Sequence, residues 1–185
     1  MIEVSELRRG TTFIFDGEMY KVLEYQHYKP GRGNAIIRTK LRNLRSGATV
    51  QRNFMSGEKV QDIRIERRPV TYLYTDGDLY YFMDAETFDQ MALSAAMLGD
   101  QALYLKEGLE LIIAVHEGEP LDIELPASVD MEVVESEMAI AGDTATGATK
   151  KATLESGLQV VVPLFVQTGD TVRVDTRSGT YITRV

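Results

Sequence analysis

The chain has 185 residues, 44% hydrophobic and 26% charged, and this ordinary globular balance excludes a fibrous or low-complexity protein. It has no cysteine, which excludes disulfides, thiolate zinc sites and cysteine nucleophiles together. Its net charge of −8 argues against indiscriminate nucleic-acid binding if that charge were evenly spread.

In chain order, Thr12–Phe15 and Glu18–Glu24 flank Asp16-Gly17, a strong hairpin signal. Strand-like segments follow on either side of Tyr28–Ala35. Val70–Tyr74 and Leu79–Met83 flank Thr75-Asp76-Gly77-Asp78. Asp84–Gln90 and Asp100–Glu107 read as short helices, the second closed by Gly108 in the place of a capping glycine. Leu109–Val115 and Leu121–Leu125 flank an acidic turn containing Gly118 and Pro120. Val129, Met131 and Val133 alternate with Asp130 and Glu132, as a half-buried strand requires. Leu158–Phe165 contains Pro163, which marks an edge or a bulge. Thr171–Asp175 and Thr180–Val185 flank Thr176-Arg177-Ser178-Gly179.

Many short strands with regular turns predict an all-β chain with one or two short helices, built as three small β-barrels. Boundaries near Arg64 and Ala127 give units 1–64, 65–127 and 128–185. A barrel of about 60 residues buries only about 60% of its unfolded surface, so neighbouring barrels are expected to pack together. No apolar run approaches the roughly 18 residues that span a membrane, and Met1-Ile2-Glu3-Val4 does not open a signal peptide. A cytoplasmic location is the expectation.

The charge is not evenly spread. Residues 1–64 hold twelve Lys and Arg against seven Asp and Glu, while residues 65–185 hold eight against twenty-one. No acid occurs between Glu24 and Glu58, a window that holds Lys29, Arg32, Arg38, Lys40, Arg42, Arg45 and Arg52. Salt screens charge over about 8 Å, so a ligand meets this patch rather than the molecular total. Within Tyr28-Lys29-Pro30-Gly31-Arg32-Gly33-Asn34-Ala35, Pro30 fixes its own φ and the two glycines permit positive φ on each side of Arg32. This predicts an exposed tip with one projecting cation. Arg38, Lys40 and Arg42 fall at alternate positions and share a strand face, opposite Ile37, Thr39 and Leu41. Planar guanidinium groups suit phosphate oxygens, so a contact to RNA backbone is the natural use of this stripe.

A phosphate-binding P-loop needs a strand-to-helix Gly-rich turn ending in Gly-Lys-Ser/Thr, which is absent here. A hairpin turn without function is the plain alternative. A heparin or membrane-surface patch would bring an amphipathic helix or a lipidation motif, and neither accompanies it. For an enzyme, His27 and His116 are the only histidines, no metal-ligand spacing is present, and Ser94 and Ser156 lack a nucleophile-elbow context. No catalytic, metal or cofactor site is therefore expected. A general single-stranded-RNA binder would use aromatic platforms, for which Tyr72, Tyr74, Tyr80, Tyr81 and Phe82 are candidates, although their alternation reads more simply as packing.

Lys29–Ala35 followed by Arg38-Thr39-Lys40-Leu41-Arg42-Asn43-Leu44 resembles the first-domain hairpin of the bacterial elongation factor P family. The resemblance continues through Tyr72–Gly77, Phe82–Phe88, Gly142-Asp143-Thr144, Lys151–Gly157, Val162–Val166 and Val174–Tyr181, in order and over essentially the whole chain. It implies a KOW-like N-terminal barrel and two OB-fold barrels in an L-shaped, tRNA-like arrangement. The implied function is binding of a 70S-type ribosome between the peptidyl and exit sites, with relief of stalling at consecutive prolines. The implied partners are ribosomal RNA and peptidyl-tRNA, with a tip-modifying enzyme as a candidate and a monomeric state. By position Arg32 contacts the acceptor end of peptidyl-tRNA and is the candidate modification site, in a tip formed by Lys29, Pro30, Gly31, Gly33 and Asn34. Gly142, Asp143 and Thr144 fall in a loop towards the exit-site codon, and Tyr181 and Arg184 on a face towards the small subunit or anticodon stem. The chain departs from the family in having arginine where the best-known tips carry lysine, Lys151 where proline is usual, and Ala148 where glycine is common.

Overall fold

The computed structural model describes residues 1–138 and 148–185. They form three antiparallel sheets in series. The first runs β1 (Ile2–Glu3), β6 (Lys59–Asp62), β2 (Thr12–Phe15), β3 (Glu18–Tyr28), β4 (Ile36–Asn43) and β5 (Thr49–Met55) in spatial order. At the β2–β3 turn Asp16 and Gly17 both take positive φ, 50° and 78°. That conformation matches the natural twist of a two-residue hairpin. Alternation along β4 buries Ile37, Thr39 and Leu41, and Ile37 and Leu41 join Val4, Leu7, Phe13, Val22, Phe54 and Val60 in the first core. Each large apolar side chain removed from water contributes about 1.5–3 kcal/mol.

The middle sheet runs β11 (Glu119–Glu124), β10 (Glu110–His116), β7 (Glu66–Thr75), β8 (Leu79–Asp84) and β9 (Gln90–Ser94). Its edge strands β11 and β9 come back into contact, so the sheet curls around Val70, Tyr72, Phe82, Leu111, Ile113 and Ile123. The turn joining β10 to β11 is Glu117-Gly118, both at positive φ. Pro120, expected in that turn, lies inside β11 opposite Val115 at a register shift. An edge strand tolerates it because no further strand needs its missing N–H.

Two expected helices are corrected. Asp84–Gln90 is a turn between β8 and β9, not a helix. Asp84 Oδ1 accepts the Glu86 and Thr87 N–H groups at 2.8 and 3.0 Å, and Phe88 takes φ 63°. An aspartate that offers its own carboxylate to the following amides competes with helical bonding. The second helix starts earlier and is mostly 3-10. A single α-turn, α1 (Ala95–Leu98), is capped by the Ser94 hydroxyl, which accepts the Met97 N–H at 3.2 Å. A 3-10 segment then runs from Gly99 to Tyr104. Gly108 does not cap it: at φ 85° it opens β10, with its N–H donating to the Tyr72 carbonyl.

The third sheet runs β14 (Gln159–Pro163), β13 (Thr149–Leu154), β12 (Ser128–Ser136), β15 (Thr171–Asp175) and β16 (Tyr181–Arg184). Pro163 ends the edge strand β14. The core is nearly all valine and leucine, closed on one side by Leu103, Tyr104 and Leu109 of the middle unit. Tyr104 also seats the β15–β16 turn, since a Cβ at Gly179 would lie 2.8 Å from its hydroxyl. Among the described residues no helix is long and apolar enough to cross a membrane.

Candidate nucleic-acid interface

The β3–β4 ladder runs out at the pair Tyr28 and Ile36, so residues 29–35 project beyond the sheet. The root of this tip is held where the Ser56 N–H donates to the Ala35 carbonyl at 2.9 Å. Of the two glycines that permit positive φ beside Arg32, only Gly33 takes it, at 113°. A Cβ at either glycine would meet nothing within 4 Å. Gly33 is thus required by backbone conformation and not by space. Lys29, Arg32 and Asn34 are exposed and Pro30 is half-buried. Among the described residues no carboxylate forms an ion pair with Lys29 or Arg32.

Behind the tip the three stripe cations share a face but have different surroundings. The Arg38 guanidinium lies 4.7 Å from the Tyr28 ring centroid. Such a contact contributes about 0.5–1 kcal/mol at an exposed site and keeps the cation beside the tip. Lys40 Nζ is 3.5 Å from Glu24 Oε1, with both groups exposed. A pair of that kind contributes about 0–1 kcal/mol and yields readily to a stronger anion. Arg42 turns into the middle sheet. It donates to the Met97 carbonyl and, at 3.2 Å, to Gln101 Oε1, with Asp122 Oδ1 at 4.0 Å. Two of its donors are thus engaged inside the protein and its side chain is only 15% exposed, which sets it apart from Arg38 and Lys40. Arg45 faces Glu119 at 3.4 Å, and Arg52 lies 3.9 Å over the Phe15 ring beside Asp16. Beside Arg38 and Lys40 a shallow groove of about 740 Å³ is lined by the amides of Gln26, Gln51 and Asn53, with Glu24 and Tyr25 at its side. These amides can both donate and accept along a ribose–phosphate chain.

Gly142, Asp143 and Thr144 lie outside the described residues. Nearby, Lys151 donates its N–H to Glu137 Oε2 at 3.1 Å, a bond that a proline at this position could not make. Tyr181 is half-buried against the third core. The exposed Arg184 lies 5.0 Å over the Phe165 ring and 3.6 Å from Asp170. Tyr28 and Phe165 are the aromatic supports of Arg38 and Arg184, roles not expected from the sequence. Tyr28 opens the tip motif and lies within reach of a sequence argument, whereas nothing in the sequence couples Phe165 to Arg184. Of the candidate stacking tyrosines, Tyr72 is buried with Phe82 in the core, while the exposed Tyr74 stacks on the half-buried Tyr81 with centroids 4.7 Å apart. Among the described residues no three His, Asp or Glu side chains converge as a metal site.

Comparison with known proteins gives three family models in series. The elongation factor P KOW-like domain matches residues 3–60, the elongation factor P OB domain residues 65–123, and the elongation factor P C-terminal domain residues 129–184. Elongation factor P of Moorella thermoacetica is 52% identical over all of both chains. Elongation factor P of Pelotomaculum thermopropionicum is 49% identical, again over all of both chains. Among solved structures, eukaryotic translation initiation factor 5A from Methanococcus jannaschii has a TM-score of 0.51 at 23% identity, covering 67% of this chain and 91% of that one. That likeness speaks for the fold of the part it covers. The full-length identity and the unbroken order of the three models support one assignment: the chain belongs to the elongation factor P family of translation factors.

Proposed function

We propose that the chain binds the ribosome between the peptidyl and exit sites, positions peptidyl-tRNA and stimulates peptide bond formation at consecutive prolines. The observation that carries this reading is the tip at residues 29–35, beyond the last strand pair, with Lys29 and Arg32 facing solvent unopposed by any described carboxylate. In this reading Arg32 and Lys29 hold the acceptor-end backbone while Arg38 and Lys40 follow the adjoining phosphates. The loop at Gly142–Thr144 faces the exit-site codon, and Tyr181 and Arg184 face the small subunit or anticodon stem. The units 1–64, 65–127 and 128–185 act as a cytoplasmic monomer with an L-shaped outline. A tip-modifying enzyme acting on Arg32 belongs to the same proposal.

The chain does no chemistry of its own. Proline is a constrained nucleophile with fixed φ, and a Pro-Pro end restricts it further. Orientation supplies about 7–11 kcal/mol in ideal cases, so holding the peptidyl-tRNA end still is enough to restore a lost rate. The test is full-length synthesis of a Pro-Pro-Pro reporter on factor-depleted ribosomes, beside a proline-free reporter. Selective rescue by native protein, lost in Arg32→Ala, is expected. Absence of rescue would refute the proposal. The exposed Tyr74 ring, stacked on Tyr81, favours a second reading, a general single-stranded-RNA binder. That reading requires tight binding to free oligonucleotides without ribosomes.

A further inference from the structure

The first and middle units meet along a seam away from the tip. Lys21 Nζ of β3 is 2.8 Å from Asp122 Oδ2 of β11, across 101 positions of sequence. The Asp122 side chain is only 5% exposed, and its Oδ1 accepts the Ile123 N–H at 2.9 Å. Beside this bridge Arg42 donates to the carbonyl of Met97 in α1 and to Gln101. Gly47, at φ 76°, lies so close to α1 that a Cβ on it would be 1.9 Å from the Ala96 carbonyl oxygen. The contact is backbone against backbone and leaves no room for a side chain. Met19, Leu44 and Leu121 are buried under it, with Ile14, Ile63 and Ile65 packed around them. Three kinds of interaction thus coincide: an apolar plug, a buried carboxylate that cannot lose its cation cheaply, and a backbone contact.

We propose that this seam fixes the first unit on the middle unit as one rigid body, and that Lys21, Arg42, Gly47 and Asp122 are positioning residues for the tip. The strand β4 makes the connection. Arg42, near one end, is held by the middle unit, while Ile36, at the other, adjoins the tip. At about 3.4 Å per residue the two ends are about 20 Å apart. A seam that swings by about 10° would then displace the tip by about 3–4 Å, and a displacement of about 1 Å can already cost 100-fold in rate. A cationic tip on a loose joint would still find RNA but would not hold it in one place.

The absence of cysteine permits a clean distance measurement. Cysteines placed at the exposed positions Arg9 and Glu86, one in each unit, take spin labels for pulsed electron resonance. A narrow distance distribution is expected for the otherwise unaltered chain, and a broadened one for Gly47→Val, with Arg42→Ala as the milder variant. The conservative Lys21→Arg should restore the narrow distribution that Lys21→Ala loses. Narrow distributions in all these variants, with circular dichroism showing them folded, would overturn the rigid seam. A second arm rests on the proposed function and reads Pro-Pro-Pro synthesis. Arg42→Ala should lower the maximal rate about tenfold or more while the half-saturating concentration holds, because the tip charge is intact but misplaced. A broadened distance with an unchanged maximal rate would overturn the positioning role. If the unaltered protein does not stimulate synthesis, the proposed function fails while the distance arm still decides the seam.

Discussion

Replacing Gly33 by alanine separates the conformation of the tip from its charge. Gly33 is at φ 113°, and an added Cβ would meet nothing within 4 Å, so the substitution brings backbone strain without a clash. A non-glycine residue held in such a region costs about 1–3 kcal/mol. Residues 29–35 lie beyond the last strand pair, so the tip relaxes and the sheet stays folded. The ratio of native to relaxed tip then falls by about 5- to 150-fold, and the concentration needed for half-maximal stimulation rises by up to the same factor. Gly31→Ala is the control. Gly31 lies outside the positive-φ region and is equally open, so its alanine variant should stimulate normally. Less freedom in the unfolded chain should stabilise that variant by about 0.4–1 kcal/mol. Titrating both variants in the Pro-Pro-Pro assay, beside thermal melts, tests the argument. Equal behaviour of the two, or a large fall in melting temperature for Gly33→Ala, would refute it.

Three further outcomes are expected. Affinity for ribosomes should fall with salt at a log-log slope of about −0.7 to −0.9 per phosphate contacted, and flat binding up to physiological salt would rule out the basic face. Arg38→Ala should shallow that slope by about one contact. Arg42→Ala should leave the slope unchanged and instead cost about 1–3 kcal/mol of stability, by leaving buried acceptors without a donor; denaturant titration reads the loss. The backbone N–H groups of Thr87 and Glu86 hold the Asp84 carboxyl below 3.8, the Arg173 side chain does the same for Asp130, and the Ser178 and Arg177 N–H groups for Asp175. These folded-state values lie below the unfolded one, so the stabilisation is complete above it and is lost as pH falls through and below 3.8. Denaturant melts from pH 7 to pH 3 should show that loss, and Asp84→Asn should flatten it. An equally steep acid limb in Asp84→Asn would count against the assignment.

Much of the architecture was legible because its causes are local. Asp16-Gly17 specifies a hairpin turn by the φ values these residues accept, and the alternation of Val129, Met131 and Val133 specifies a buried strand face. Asp84–Gln90 misled because a polar run with helical spacing also suits a turn, and the choice was made by one carboxylate facing two backbone amides. The tip could be read for the same local reason, since Pro30 and Gly33 act on their own backbone. The fate of the cations behind it could not. The window from Tyr25 to Gly57 lacks acids in sequence, but folding brings Glu24 to Lys40, Asp16 to Arg52, Glu119 to Arg45 and Asp122 near Arg42. By itself the sequence determined that a cationic tip would stand at the end of a hairpin. Only the tertiary structure decided which cations remain for a partner and which brace the chain, because ion pairing depends on distance in space, and strand pairing and unit packing set that distance independently of separation along the chain.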